Sequence, residues 1–421
     1  MAENIVVYHN DLTDSDNWAA ARFLHQAAVN SAATRIIWVI EPRRVSLGHY
    51  VTTQRKNACL RLLEKHFPSR GSPLKVFLRG ALQETDLDAL GDLSEDERDL
   101  LSLAMKIPYG PREDDILHGR LLALDFLNCL ASWSTSPVEV LLDVDALERI
   151  QSPANLKVHF HEELVARSNE EVENYYGIMN KRHVQRIQQS RSWYRRCIET
   201  VEATTKPKGH SLRNLSLGSL CDTIKTARRA LFLGGASLGL LQRLIQKGAA
   251  AKMHCYLQAG AFDQSMLIFQ NQFNIGLDPD AASFVISRFD QFASFTLVPS
   301  DTARRVKYSL AGLSSTGGPL LRKRFLGYNC RIEPERISAD EDSLDDLLAK
   351  SYTMSDLTAF LCVFNAGYKA QSTLGHAQLV NDNGVFGLRR QESGIPIREL
   401  TEDLVLSESQ IRDLLAKFAV D

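Results

Sequence analysis

The stretch Ile5-Val6-Val7-Tyr8-His9-Asn10-Asp11-Leu12-Thr13-Asp14-Ser15-Asp16-Asn17-Trp18-Ala19 passes from a strand to a helix through a loop of acids. Ile5–Tyr8 is a short β-branched and aromatic run, which predicts a buried strand. His9–Ser15 is polar, and a helical pattern follows over Trp18–Val29. The motif then repeats. Arg35–Ile40 predicts a second buried strand, and a helix follows over about 52–66 with Ala58, Leu60, Leu62 and Leu63 apolar. Leu74–Leu78 predicts a third strand. Strands alternating with helices imply an α/β fold with an open, mostly parallel central sheet flanked by helices.

Further along, Thr85–Asp115 is acidic and turn-rich, Val138–Leu142 predicts a strand, and about 156–204 reads as long helices closed by the loop Thr205–His210. Strands resume at Ala230–Leu233, Lys252–Gln258 and Phe295–Val298, each before a helical stretch. The segment from about 85 to 225 therefore reads as an elaboration within one domain spanning 1–421, its helical insertion assigned to 130–225. Residues 366–421 read as a C-terminal extension, with turns at Asn381–Gly384 and a last helix over Ser407–Phe418.

The chain has 421 residues, 44% of them apolar, enough to bury a large core without staples. Lys and Arg number 49 against 51 Asp and Glu, so the net charge of −2 gives no general attraction to nucleic acid. Seven scattered cysteines without a CxxC pair argue against structural zinc and fit reduced thiols in the cytoplasm. No membrane span or secretion signal is expected. The basic run from Lys181 to Arg196, with Trp193 and Tyr194, reads as a solvated face or as a contact for RNA or an acidic partner. His159 and His161 read as a surface pair.

Four segments stand out chemically. In the first loop Asp11, Asp14 and Asp16 fall within six residues, at the carboxyl end of a strand, where open α/β sheets bind ligands. Two readings stay open: an Asp-rich turn that caps a helix, or oxygens gathered for a hard cation. Gln272–Ala282 contains a helix start, with Asp278 as cap and Pro279 in the first turn, which leaves the amide of Asn274 unexplained. The turn Leu233–Gly239 holds glycines that permit close backbone approach. Asp356 opens an apolar helix and reads by itself as a cap.

In this order, the four segments resemble the inosine/uridine-preferring nucleoside hydrolase family. His9–Ala19 is similar to its opening aspartate loop, Asn57–Glu64 to its NALRLLE stretch, and Leu117-His118-Gly119 to a His-Gly turn. Leu233–Leu240 is similar to its GPLTN turn, Gln272–Ala282 to EFNxxxDPEAA, Phe295–Asp301 with Arg304–Val306 to its LVPLDVT strand and turn, and Ser355-Asp356 to His-Asp. The resemblance covers about 1–120 and 225–365. It implies Ca²⁺ held by Asp11, Asp16, the backbone carbonyl of Ser237, and Asp356. It also implies hydrolysis of an N-glycosidic bond with Asp11 as general base, and Asn274 on a ribose hydroxyl.

The chain departs from that pattern at Ser15, Gln272 and Ser355, where the family has Asp, Glu and His, and at Arg43-Arg44, where it has Gly-Asn. Ser15, Gln272, Asn274, Ser355 and Arg44 are thus the candidate substrate contacts, for a nucleoside-like small molecule. Arg43 or Arg44 could also pair with a phosphate, as in a nucleotide or NAD. A binding protein that has lost catalysis is the other reading, and the family's oligomers leave a homo-oligomer open.

Overall fold

The computed structural model describes residues 3–12, 15–31, 34–42, 44–45, 53–79, 81–102, 104–105, 112–134, 136–148, 153–154, 198–199, 209–267, 271–328 and 348–419. Its strands are β1 (Asn4–Asn10), β2 (Thr34–Ile40), β3 (Arg44–Val45), β4 (Glu139–Leu142), β5 (Pro153–Ala154), β6 (Ser211–Asn214), β7 (Arg229–Gly235), β8 (Met253–Gln258) and β9 (Ser294–Val298). Then come β10 (Val306–Ser309), β11 (Ser351–Thr353), β12 (Ser372–Asp382), β13 (Val385–Gln391), β14 (Ile395–Leu400) and β15 (Leu404–Leu406).

Ten strands form one sheet in the order β13-β12-β14-β9-β8-β7-β1-β2-β4-β6. From β14 through β9 to β6 every neighbouring pair is parallel, and only β12 runs against its neighbours. Parallel strands are buried on both faces, which explains their continuous apolar runs. In β1, Val6 and Tyr8 enter one core with the helices Ser15–Asn30, Arg112–Trp133, Leu310–Tyr328, Ser355–Phe364 and Glu408–Lys417. Ile5 and Val7 enter the opposite core, with the helices Leu217–Thr226, Gly239–Gln246 and Pro279–Ile286.

Several expectations change here. Leu74–Leu78 lies in a helix, Pro73–Arg79. A five-residue apolar run fits either state, and Pro73 at the first helical position tips it. Val76 and Phe77 pack with Cys59, Leu63 and Leu101 in a small separate core. Leu117-His118-Gly119 is no turn but part of the helix Arg112–Trp133, where a Cβ on Gly119 would meet Pro42. Within 130–225, β4 and β6 belong to the main sheet. Most of 155–208, including the basic run and His159 and His161, lies outside the described residues.

The C-terminal extension supplies β12, β13 and β14 to the main sheet. Strand β13 sits at the sheet edge, where free N–H groups invite pairing with another chain. Here Phe386 N donates to Asn271 Oδ1 (2.7 Å) and Leu388 N to the Ala261 carbonyl (2.9 Å), so two outward donors are used. The last helix, Glu408–Lys417, starts at a capping box of Ser407 and Gln410. No helix among the described residues is long and apolar enough to cross a membrane. The five described cysteines are free and buried.

The helix Leu310–Tyr328 is broken at Gly318, whose φ of 74° and following Pro319 interrupt its hydrogen bonds. The carbonyl of Gly317 accepts from Trp133 Nε1 (2.9 Å), and that of Thr316 from Arg22. His25, one turn from Arg22 and with its ring tilted against Trp133, is buried. Burial, and then the Arg22 charge, bring its pKa down to about 4. The unfolded chain therefore takes up a proton that the folded chain refuses, and stability is lost as pH falls from about 6.5 through 4. Urea unfolding at pH 7 and pH 4.5 is expected to show a drop that His25→Leu largely removes.

Candidate active site

The carboxyl ends of the parallel strands carry buried polar residues side by side. They are Asn10 and Asp11 at β1, Glu41 after β2, Asp143 after β4, Ser237 after β7, Gln258 at the end of β8, and Ser300 after β9. Three linked groups form along this edge.

In the first, the helices Ser15–Asn30 and Ser355–Phe364 bring their N-termini together. Each has an aspartate as its second residue. Asp16 Oδ2 accepts from the backbone N of Asp356 (3.2 Å), across 340 residues of sequence. Asp356 Oδ2 accepts from Asn17 Nδ2 (2.9 Å) and from the Tyr8 hydroxyl (3.1 Å). Asp356 therefore does not cap its own helix. Its carboxylate fills the space beside Gly235, where a Cβ would lie 1.8 Å from Oδ2. The two helix N-termini favour negative charge, each by up to about 1 kcal/mol. Burial, followed by the neighbouring Asp16, nonetheless holds the Asp356 carboxyl well above the usual carboxylate range, against the bonds from Asn17 and Tyr8.

Asp16 Oδ1, Asn17 Oδ1 and both amide atoms of Asn10 are buried without a hydrogen-bond partner. Each such group costs on the order of 1–3 kcal/mol. Carboxylate and amide oxygens lacking donors suit a hard divalent cation, which takes oxygen ligands. Asp11, 3% exposed, lies just after β1. Its neighbour Leu12 is held at φ 54°, a left-handed conformation that strains a bulky residue. Among the described residues no three His, Cys, Asp or Glu side chains are arranged to hold a metal ion. Asp16 and Asp356 meet, and Asp11 does not make them a group of three.

The second group centres on Glu41, fully buried. Its Oε1 accepts from Ser237 N (3.3 Å), its Oε2 from the Ser237 hydroxyl, and His9 Nε2 lies 3.5 Å away. Gly239 N donates to Ser237 Oγ (3.3 Å), so Glu41 ties β2 to the turn after β7. Burial pushes Glu41 up to about 8, against the Ser237 bonds and with the help of Asp143. Asp143 is paired with Arg243, itself buried.

In the third group Gln258 organises two predicted contacts. Asn274 Nδ2 donates to the Gln258 carbonyl (2.9 Å) and to its Oε1 (3.1 Å), and Gln272 Nε2 donates to the same Oε1 (3.1 Å). Gln272 also caps the short helix Phe273–Leu277 through Ile275 N. Asp278 caps the next helix, accepting from Ala281 N (3.0 Å), as its sequence context predicts.

Ser15 is buried at the head of its helix and Ser355 precedes Asp356. Arg44 has its backbone in β3, while its side chain and all of Arg43 lie outside the described residues. Sequence reasoning missed Tyr8, Asn10, Asn17, Glu41, Asp143 and Gln258. The available signal was simple: Glu41 and Asp143 each directly follow a buried strand, and Asn10 and Gln258 each end one.

No family model matches the sequence, and no curated protein matches it. Among solved structures, the chain is similar to an inosine-uridine preferring nucleoside hydrolase from Bacillus anthracis, at 10% identity and a TM-score of 0.46, over 99% of each chain. It is similar to the type III effector protein XopQ complexed with adenosine diphosphate ribose, at 9% identity and a TM-score of 0.46, over 99% of this chain and 93% of that one. It is also similar to a purine-preferring ribonucleoside hydrolase from Gardnerella vaginalis, at 13% identity and a TM-score of 0.38, over 98% of this chain and 96% of that one.

Proposed function

We propose that the protein hydrolyses the N-glycosidic bond of a ribonucleoside or nucleoside-like substrate at the carboxyl edge of its sheet, with Ca²⁺ as cofactor. The observation that carries this reading is the meeting of Asp16 and Asp356 beside Gly235, with buried oxygens around them that lack donors. The sequence resemblance supplies the reaction.

Asp11, Asp16, Asp356 and the carbonyl of Ser237 would hold the ion. When bound, it would make water more acidic and orient the sugar. Asp11, the base that the resemblance implies, takes the proton from the attacking water. Attack at the anomeric carbon breaks the bond to the base nitrogen through an oxocarbenium-like state, as in other glycosidic cleavages. Asn274 and Gln272, prearranged by Gln258, hold sugar hydroxyls without reorganising. Ser15 and Ser355 contribute hydroxyls where a stronger acid would otherwise stand. A leaving base that departs without protonation therefore suits this site best.

The test is a panel of inosine, uridine, their monophosphates and NAD, with release of free base followed by chromatography in Ca²⁺ and after stripping with EGTA. Base release that requires Ca²⁺ is expected from at least one of them. Failure to release base from any, by protein that binds Ca²⁺, would favour a binding role over catalysis.

A further inference from the structure

The geometry points to Asn10 as a ligand of the cation, through its neutral amide oxygen, an inference that rests on the cation site proposed above. Asn10 is the last residue of β1, fully buried, and neither its Oδ1 nor its Nδ2 has a hydrogen-bond partner. A buried primary amide without partners is among the more expensive things a core can hold. Nothing in the packing of β1 calls for it, because Val6 and Tyr8 on the same face show that apolar and aromatic side chains fit there.

The sheet register says where Asn10 points. Its parallel partners are Ile40 on β2 and Gly235 on β7. Opposed residues of adjacent parallel strands project to the same face, about 4.8 Å apart. Ile40 belongs to the core containing Tyr8 and Phe360, so Asn10 faces that way too. On that face the place of a Gly235 side chain is taken by the Asp356 carboxylate. Asn10 therefore stands next to Asp356, one step beyond Tyr8, whose hydroxyl already bonds that carboxylate.

Around Asp356 the buried oxygens without donors are then Asn10 Oδ1, Asn17 Oδ1 and Asp16 Oδ1. Two carboxylates and two neutral amides form a mixed oxygen set, of the kind hard cations accept.

The experiment is calorimetric titration of the stripped, full-length protein with CaCl₂ alone, alongside thermal melts with and without Ca²⁺. The variants are Asn10→Leu, Asn10→Asp and Asp356→Asn. Asn10→Leu is expected to weaken Ca²⁺ binding at least about tenfold. In EGTA it should melt no lower than the parent, because an unsatisfied amide has been removed. Asn10→Asp, which keeps an oxygen, should retain binding and show a larger Ca²⁺-dependent rise in Tm than the parent. If Asn10→Leu does not fold, the Asn10→Asp melt decides alone, and no enlarged rise overturns the inference. A parent and Asn10→Leu of equal affinity, with Asp356→Asn losing binding, would overturn the role of Asn10 and leave the cation site standing. A parent protein that binds no Ca²⁺ would overturn both.

Discussion

Gly235→Ala is expected to cut base release by more than about 100-fold, about 2.7 kcal/mol of transition-state stabilisation, while the protein still folds. The added methyl would sit 1.8 Å from Asp356 Oδ2 and 2.4 Å from its Cγ, distances no packed atoms tolerate. The carboxylate cannot simply swing aside. It is 3% exposed and held by Asn17 and Tyr8, and its backbone N is bonded to Asp16. The Gly235 backbone is not in the left-handed region, so alanine adds no φ strain there. The steric cost is of the overpacking kind, about 1–3 kcal/mol. Activity with Ca²⁺ and a thermal melt check this together. Full activity would mean that Asp356 is not needed where it stands.

The largest effect on stability is expected at Arg243. Its guanidinium pairs with Asp143, which is fully buried directly after β4. Arg243→Met would leave that buried carboxylate unpaired near Glu41, whose own carboxyl is already pushed up to about 8 by burial. Removing one partner of a buried pair costs about 3–5 kcal/mol, against a total stability of about 5–15 kcal/mol for an ordinary domain. Asp145, the other carboxylate near Arg243, lies at 3.5 Å and is exposed, so its loss should matter little. Urea unfolding is expected to show the drop for Arg243→Met and most of it restored in Arg243→Met with Asp143→Leu. A single variant as stable as the parent would show that Asp143 is buried neutral.

Both effects depend on contacts between elements far apart in sequence, and here sequence reading stopped. Strands β1, β2, β7, β8 and β9 were legible because two-sided burial writes itself as a local apolar run. The cap Asp278 was legible for the same reason, since a cap acts within three residues. Leu74–Leu78 was not, because five apolar residues satisfy a strand and a helix alike. The strands of the C-terminal extension were not legible as part of the main sheet. They pair with one another, and only β14 joins them to the sheet, through β9, which lies about a hundred residues earlier.

By itself, then, the amino-acid order determined an α/β chain with parallel strands and placed acids at Asp11, Asp16 and Asp356, because helix and strand periods and their end signals are short-range. Only the tertiary structure decided that Asp356 and Asp16 meet, that the gap beside Gly235 receives a carboxylate, and that Asn10 is the register partner of Gly235. Those outcomes depend on sheet register and on two helix N-termini docking on one face. Neither is encoded in any local stretch, since each is fixed by the burial of surfaces contributed from both ends of the chain.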